Sequence, residues 1–169
     1  MNLDKYTRDA RAWRDWARIN CIASKQLFVS GNPFLYFPAA ILGHHALEMY
    51  LKAALICEGM TVFNPDLVDK LDATVRLTKA ECVWGHNLVD FAKKLATKRA
   101  DFDLSAEIDV PCLVLEMPMK LLTAFELFAP FFSELRYPME LKEFEGVGEE
   151  EGRVLDALVA QLLPFLGNV

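Results

Sequence analysis

The alternation of apolar and polar residues predicts helices along almost the whole chain. The clearest segment runs from Pro38 to Gly59, because proline suits a first helical turn and glycine suits a left-handed exit from a helix. Its apolar residues fall on nearly every side of the predicted helix: Ile41, Leu42, Ala46, Leu47, Met49, Tyr50, Ala53, Ala54, Leu55 and Ile56. A helix that is apolar all round is surrounded by other elements. We therefore predict that this helix is the central rod of a bundle.

Other segments repeat the helical period with an apolar stripe on one side. Besides the central, second helix, a first helix is predicted over 4–30 and a third from Gly85-His86-Asn87 to about Ala100. A fourth helix is predicted to begin at Pro118, to kink at Pro130 and to end at Arg136-Tyr137-Pro138. A last helix is predicted over 149–166, and its inner face consists of Val154, Leu155, Leu158, Val159, Leu162 and Phe165. Residues 34–37 are expected to be extended or irregular because they precede Pro38, and a short surface helix is expected within 66–78.

No segment has a convincing strand pattern. An acidic, mobile loop is expected over 140–151, rich in glutamate and glycine. Five main helices with mostly short connections predict an all-α fold, an antiparallel up-and-down bundle of four to five main helices. We expect the whole chain, residues 1–169, to form one such domain.

Four polar residues interrupt the central helix, and they supply candidate ligand-binding groups. His44, Glu48 and Lys52 follow one another at steps of four, so they lie in one column along the helix, with His45 beside them. The preferred interpretation is a partly buried Glu48–Lys52 pair that holds the register of the bundle, and contact of Lys52 with a phosphate or nucleotide is the alternative. One histidine and Glu48 have the spacing to share a metal ion, but a second Glu-x-x-His is missing, so no metal and no cofactor is predicted.

The first helix carries arginines at steps of three, three and four. Asp9 and Asp15 are interleaved with these arginines, which favours a solvated face with ion pairs. The alternative is a nucleic-acid surface, if the first and third helices lie side by side; it would use Arg8, Arg11, Arg14 and Arg18 together with Lys93, Lys94 and Lys98. The opposite, inner side is predicted from Trp13, Trp16, Ala17, Leu27 and Phe28, with Asn20 and Ser24 forming structural hydrogen bonds there.

Composition narrows the class of protein. The formal net charge of −6 gives no global attraction to nucleic acid or to an anionic membrane. No C-x-x-C pair joins the four cysteines, so we expect buried, reduced thiols at Cys21, Cys57, Cys82 and Cys112. The charged N-terminus lacks the apolar core of a signal peptide, and charges interrupt the most apolar windows, so a cytoplasmic, non-membrane protein is predicted.

The order of these features resembles the HEPN domains, the higher eukaryote and prokaryote nucleotide-binding helical bundles, over roughly residues 5–138. Three motifs carry the resemblance: Ala46-x-Glu48-x-x-x-Lys52, the helix start Gly85-His86-x-Leu88, and Arg136-Tyr137-Pro138. The resemblance implies a four- or five-helix up-and-down bundle that forms a homodimer. It also implies a nucleotidyltransferase-type protein partner in a toxin–antitoxin pair, or an RNA or nucleotide ligand.

Catalytic HEPN proteins are metal-independent endoribonucleases whose signature is an arginine followed, after four to six residues, by a histidine. This chain lacks the signature: nine residues separate Arg76 from His86, and no histidine follows Arg136. We therefore predict a non-catalytic binding module, with candidate binding residues His44, His45, Glu48, Lys52, Arg11 and Arg18. The alternative is an endoribonuclease or toxin in which His86 takes the 2′-hydroxyl proton and Arg136 stabilises the phosphorane.

Overall fold

Helices dominate the computed structural model, which describes residues 5–110, 118–133 and 147–167. The α-helices in these ranges are α1 Ala10–Val29, α2 Tyr36–Cys57, α3 Leu88–Lys98, α4 Leu121–Phe128, α5 Pro130–Ser133 and α6 Glu149–Leu162. Short 3-10 helices flank them at Lys5–Arg8, Pro33–Leu35, Pro65–Lys70, Lys79–Glu81 and Leu163–Leu166. The predicted α-helical class is confirmed.

The pair α1 and α2 forms a helical hairpin. The carboxylate of Asp9 caps α1 by accepting a hydrogen bond from the backbone N–H of Ala12 at 3.0 Å. The prediction that residues 34–37 are extended or irregular is wrong at Tyr36 and Phe37, where α2 has already begun, and Pro33–Leu35 before them is a 3-10 turn. Pro38 then falls in the first turn of α2, where a backbone N–H has no partner inside the helix in any case.

The central helix α2 packs against α1, α3 and α6. Its burial extends around the axis, as the sequence predicted, and includes Ala46, Leu47, Tyr50, Leu51, Ala53, Ala54 and Leu55. The helix ends at Cys57, and Gly59 follows with φ +80°, a left-handed conformation that glycine adopts without strain. The buried stripe of α3 is Leu88, Phe91, Ala92 and Leu95, and the buried residues of α6 are those expected from the sequence.

Two small sheets correct the prediction that the chain has no strand. In the first sheet, β1 (Thr61–Val62) pairs in parallel with β2 (Cys82–Val83). In the second, β3 (Glu107–Ile108) pairs antiparallel with β4 (Met119–Lys120). A two-residue strand is too short to produce a detectable alternation. Within the expected surface helix over 66–78, the structure has only the 3-10 helix Pro65–Lys70.

The fourth predicted helix differs at its start and agrees at its kink. It begins at Leu121 and not at Pro118, because Met119 and Lys120 pair as β4. The helix is interrupted between Phe128 and Pro130, since a proline has no N–H to donate to the preceding turn. Its predicted end at 136–138 and the acidic segment 140–146 lie outside the described residues.

The thiols fit their prediction in part. Cys21 and Cys82 are buried and unbridged, whereas Cys57 is exposed, so the expectation of burial is wrong for Cys57; Cys112 lies outside the described ranges. Cys57 is the last residue of α2, and its Sγ donates a hydrogen bond of 3.4 Å to the carbonyl of Leu166. Within the part of the chain that the structure describes, no helix combines the length and apolarity needed to cross a bilayer.

Candidate functional site

The carboxylate of Glu48 is the centre of a polar cluster, which we define as His44, His45, Glu48, Lys52 and His86. Its Oε1 accepts a hydrogen bond from Lys52 Nζ at 2.6 Å, and its Oε2 accepts one from His86 Nδ1 at 2.9 Å. Both partners in the ion pair are buried, with Glu48 5% and Lys52 4% exposed. The cluster therefore lies at the N-terminal end of α3, and most of it is buried.

The Lys52 ammonium joins three helices. It donates a second hydrogen bond, at 3.0 Å, to the backbone carbonyl of Gly85 just before α3. It also lies 5.2 Å from the ring centroid of Trp13 on α1 and 5.3 Å from that of Phe91 on α3. Both distances are in the range of a cation–π contact. Lys52 is thus satisfied by the protein itself, by a carboxylate, a carbonyl and two aromatic faces.

The electrostatic balance keeps Glu48 ionised. Burial alone would raise the pKa of this carboxyl, but the adjacent Lys52 charge and the hydrogen bonds from Lys52 and His86 outweigh burial and hold the pKa below its ordinary value. A buried carboxylate of this kind is stable because it is paired and hydrogen-bonded on both oxygens.

His44 is a neutral, structural histidine. Its side chain is fully buried, and its Nδ1 donates a hydrogen bond of 2.8 Å to the carbonyl of Phe128, the last residue of α4. Because a carbonyl only accepts, the proton of the neutral ring is on Nδ1. Burial lowers the pKa of His44, although its backbone hydrogen bond and the Glu48 charge at 3.9 Å act in the opposite direction.

His86 is the most accessible member of the polar cluster. Its side chain is 53% exposed, against 31% for His45, whose Nδ1 is 4.0 Å from Glu48 Oε2. The ionised carboxylate accepts a hydrogen bond from the Nδ1–H of His86, so in the neutral tautomer Nε2 is the nitrogen that carries no proton. A carboxylate that orients a half-exposed imidazole is the arrangement of a general base.

Candidate residues from the sequence are only partly brought together. The structure joins His44, His45, Glu48 and Lys52 with His86, whereas Arg136 lies outside the described residues. Among the residues that are described, no three His, Cys, Asp or Glu side chains are arranged to hold a metal ion.

The arginines of α1 have separate environments. Arg8 Nε donates to Thr61 Oγ1 at 3.0 Å, and Arg14 forms an ion pair with Asp15 at 3.6 Å. Arg11 and Arg18 are exposed, and no salt bridge joins either of them to a described residue. The helices α1 and α3 each pack against α2 and not along one another, and Lys94 donates to the carbonyl of Cys82. The composite basic surface of α1 and α3 is therefore not assembled as a stripe.

The inner face of α1 differs from the one that the sequence indicated. The buried residues are Ala10, Ala17, Cys21, Ser24 and Phe28, whereas Trp16 is 60% exposed. The structural hydrogen bond expected for Ser24 is confirmed, since its Oγ donates to the carbonyl of Ala39 at 2.7 Å. Asn20 donates to the carbonyl of Trp16 at 2.9 Å and to Met49 Sδ at 3.8 Å.

An exposed apolar surface on α1 was missed by the sequence reasoning. It includes Trp16, Ile19 and Ile22, which are 60%, 56% and 46% exposed. An open groove of about 520 Å³ lies next to it, lined by Ala12, Trp13, Trp16 and Met49. The signal was present in the apolar positions 12, 16, 19 and 23, which repeat at steps of four, three and four.

The groove and the polar cluster are neighbours. Trp13 lines the groove with one part of its ring and contacts Lys52 with its face, and Met49 follows Glu48 on α2. The region thus combines an accessible apolar surface with a buried ion pair and one half-exposed histidine. Comparison of the chain with protein-family models, with curated protein sequences and with solved structures finds no match.

Proposed function

We propose that this protein is a non-catalytic binding module that recognises a protein partner. The observation that carries the proposal is the exposed apolar surface of α1, where Trp16, Ile19 and Ile22 each expose about half or more of their side chain. Contiguous apolar surface of this kind, next to polar and charged residues, is characteristic of interaction sites. Tryptophan is also among the residues most enriched at the energetic centres of protein interfaces.

The polar cluster supports a binding module over an enzyme. The hydrogen bonds of Glu48 and Lys52 are made with each other, with His86 and with Gly85, and the His44 ring contacts the end of α4. These contacts connect the helices of the bundle to one another, so the polar groups that make them have a structural role. The homodimer, the nucleotidyltransferase-type partner and the RNA or nucleotide ligand that the HEPN resemblance implies are compatible with such a module, and a protein partner is the form that the apolar surface favours.

The test pairs affinity capture with an activity assay. The tagged full chain is expressed in the cells that make it, and a captured protein is then co-expressed and co-purified with the chain. We expect a stoichiometric complex, which His86→Ala retains, and no cleavage of RNA by the purified chain alone. The proposal is overturned if no partner co-purifies in stoichiometric amount, or if RNA is cleaved and His86→Ala abolishes the cleavage.

A second candidate function, endoribonuclease, is favoured by the contact between Glu48 and His86. In this proposal, Glu48 Oε2 orients His86 through Nδ1, and Nε2 takes the 2′-hydroxyl proton as the 2′-oxygen attacks the adjacent phosphorus. The bond from phosphorus to the 5′-oxygen then breaks, which leaves a 2′,3′-cyclic phosphate and a 5′-hydroxyl whose proton comes from water or from the His86 ring. A cation would stabilise the phosphorane, the role given to Arg136 in the sequence analysis.

Expression toxicity tests this second candidate. If the site is a ribonuclease, expression arrests growth, His86→Ala relieves the arrest, and the purified protein cleaves RNA whereas His86→Ala does not. His45→Ala is the matched control, because His45 belongs to the same cluster and is also near Glu48 Oε2. Equal growth for wild type and His86→Ala removes the enzyme from consideration.

A further inference from the structure

The exposed residues of α1 repeat with the spacing of a helix that packs against another helix. Ala12, Trp16, Ile19 and Ala23 follow at steps of four, three and four, which places them in one row, and Ile22 lies beside that row. We call these five residues the α1 stripe. Ala12 and Ala23 are half-buried, while the three larger residues are mostly accessible. Small residues at both ends and large ones between them leave room for a helical partner to approach.

The charges beside the α1 stripe are mainly basic, although the acidic Asp15 lies on the same edge. Arg11 and Arg18 are seven residues apart, so they stand on one edge of the stripe, and neither has a salt bridge to a described residue. Lys25 continues this row, but it is paired with Asp156 of α6. Over its length α1 contains four basic residues against one acidic residue, Asp15, so its net charge is +3 within a chain whose net charge is −6.

This charge distribution argues against a second copy as the occupant. Two α1 helices packed face to face would bring together the Arg11 and Arg18 charges of both copies, and like charges across an interface are unfavourable. A partner with acidic residues beside its own apolar stripe would instead be attracted to Arg11 and Arg18. Such flanking charges select the partner and its orientation in helix pairs.

The centre of the stripe favours protein over nucleic acid. Trp16 gives the stripe one aromatic face, but Ile19 and Ile22 are aliphatic and give none, so a nucleic acid that covered the stripe could stack a base at one position only. An apolar helix face matches them in shape and desolvates them.

We propose that the α1 stripe is the docking site for an amphipathic helix of a partner protein, with aspartate or glutamate flanking the apolar residues of that helix. The inference rests on the proposed binding function and makes it specific, since it names the surface and the chemistry of the partner. The apolar residues of the partner would cover Trp16 and Ile19 and enter the groove beside Trp13 and Met49. Its carboxylates would pair with Arg11 and Arg18.

Two synthetic peptides test the proposal on the full chain. Each is a labelled helix of roughly three heptads with leucine at the a and d positions; one carries glutamate and the other lysine at the e and g positions. We expect the glutamate peptide to bind at least about tenfold tighter than the lysine peptide by fluorescence anisotropy, with affinity that falls as salt is added. Ile19→Glu should lower the affinity for the glutamate peptide by about tenfold or more. The double variant Arg11→Glu and Arg18→Glu should bind the lysine peptide more tightly than the glutamate peptide.

A matched control separates the stripe from general stickiness. Phe34 is 88% exposed but lies in the connection between α1 and α2, so Phe34→Glu should leave peptide affinity unchanged. Circular dichroism confirms that each variant keeps its helices. Equal affinity for the two peptides, or equal weakening by Phe34→Glu and Ile19→Glu, would refute the proposal.

Three other occupants are outcomes that overturn the inference. A second copy is the occupant if Ile19→Glu dissociates a dimer in sedimentation. RNA is the occupant if the chain binds RNA and Ile19→Glu loses that binding. A membrane surface is the occupant if the chain binds anionic phospholipid vesicles and Ile19→Glu loses that binding. The failure of the inference is distinguishable from that of the proposed function. If a co-purified partner is retained by Ile19→Glu and by Arg11→Glu with Arg18→Glu, the module still binds a partner but uses another surface.

Discussion

Glu48 and Lys52 make the shortest polar contact of the cluster, and both side chains are buried. Burial makes the loss of either charge costly for the stability of the fold. A buried ion pair contributes little net stability when it is compared with apolar residues, because both charges lose their hydration. Losing one partner is different, since the other charge stays buried without compensation. Lys52 also connects α2 to α1 and α3 through Trp13, Gly85 and Phe91. The pair therefore specifies how the three helices meet.

Replacing Lys52 with methionine tests the importance of this pair. We expect Lys52→Met to lower the free energy of unfolding by about 3 kcal/mol, because the Glu48 carboxylate stays buried without its cation. Urea denaturation measures the change. Adding Glu48→Gln to Lys52→Met should restore part of the loss. Lys79→Met, which removes an exposed ion pair with Asp69, is the matched control and should have no measurable effect. An equally small effect at Lys52 would contradict a structural role.

The buried neutral ring of His44 predicts a dependence of stability on pH. Burial lowers the pKa of His44 from 6.5, so the unfolded chain binds a proton below pH 6.5 that the folded chain does not bind until lower pH. The contribution of the neutral His44 ring to stability is therefore fully present above pH 6.5, and it is lost progressively as the pH falls below 6.5. The Glu48 carboxyl, with its pKa held below 4.5, adds its own loss only below pH 4.5.

A variant can isolate this contribution. His44→Asn keeps an N–H donor near the position of Nδ1 without a titrating ring, so its unfolding free energy should change less than that of the wild type as the pH falls below 6.5. The measurement is urea denaturation at several pH values. If His44→Asn has the same slope as the wild type, another group is responsible.

Among the elements, α2 depends on one glycine for its close approach to three neighbours. A Cβ on Gly43 would lie 2.9 Å from Phe128 Cε1, 3.2 Å from Ser24 Oγ and 3.3 Å from Leu155 Cδ2. These atoms belong to α4, α1 and α6. A glycine inside a helix costs stability relative to alanine, so close packing is the reason for a glycine at this position.

Gly43→Ala should therefore destabilise the protein despite the better helix propensity of alanine. We expect a net loss of about 1 kcal/mol, since overpacking of a core exceeds the gain in propensity. In a Phe128→Leu background the same substitution should cost about 1 kcal/mol less, because the nearest ring is gone. Thermal and urea unfolding of the four proteins measures this coupling. Additive effects would show that the Phe128 ring does not limit the approach.

At the scale of the whole molecule, charge is divided unevenly. The helix α1 is positive in a chain of net charge −6, so the remainder is strongly acidic. Such a distribution would steer the acidic partner that we propose toward α1, and it disfavours an interface formed by two copies of that helix. A homodimer of the kind that the HEPN resemblance implies would accordingly use another face.

Sedimentation of the purified chain tests this arrangement. The resemblance leads us to expect a mass twice the 19.1 kDa of one chain. Ile19→Glu should leave that mass unchanged, because the substituted residue belongs to the face that we propose as the docking site of a partner protein. A single-chain mass at micromolar concentration would remove the homodimer, and a mass that Ile19→Glu halves would place the dimer interface on α1.

The sequence by itself determined the helical class and the positions of most helices. A local pattern was enough for α2, α3 and α6, because their apolar periods, caps and end signals are contained within each segment. The break at Pro130 was also predictable, since a missing N–H acts on its own helix. The starts of α2 and α4 were displaced by a few residues, because Pro38 is tolerated in a first turn and Met119–Lys120 pairs with a distant strand.

Only the tertiary structure decided which face of α1 is covered and which side chains meet Glu48. Periodicity indicates that a helix has an apolar face, but α1 has apolar residues on two faces, and the packing of α2 chose the one with Ala17 and Cys21. The contact of His86 with Glu48 joins residues 38 positions apart, a separation that no local spacing encodes. Exposure of Trp16 and burial of the Lys52 charge have the same origin, because burial is a property of the assembled helices and not of any one segment.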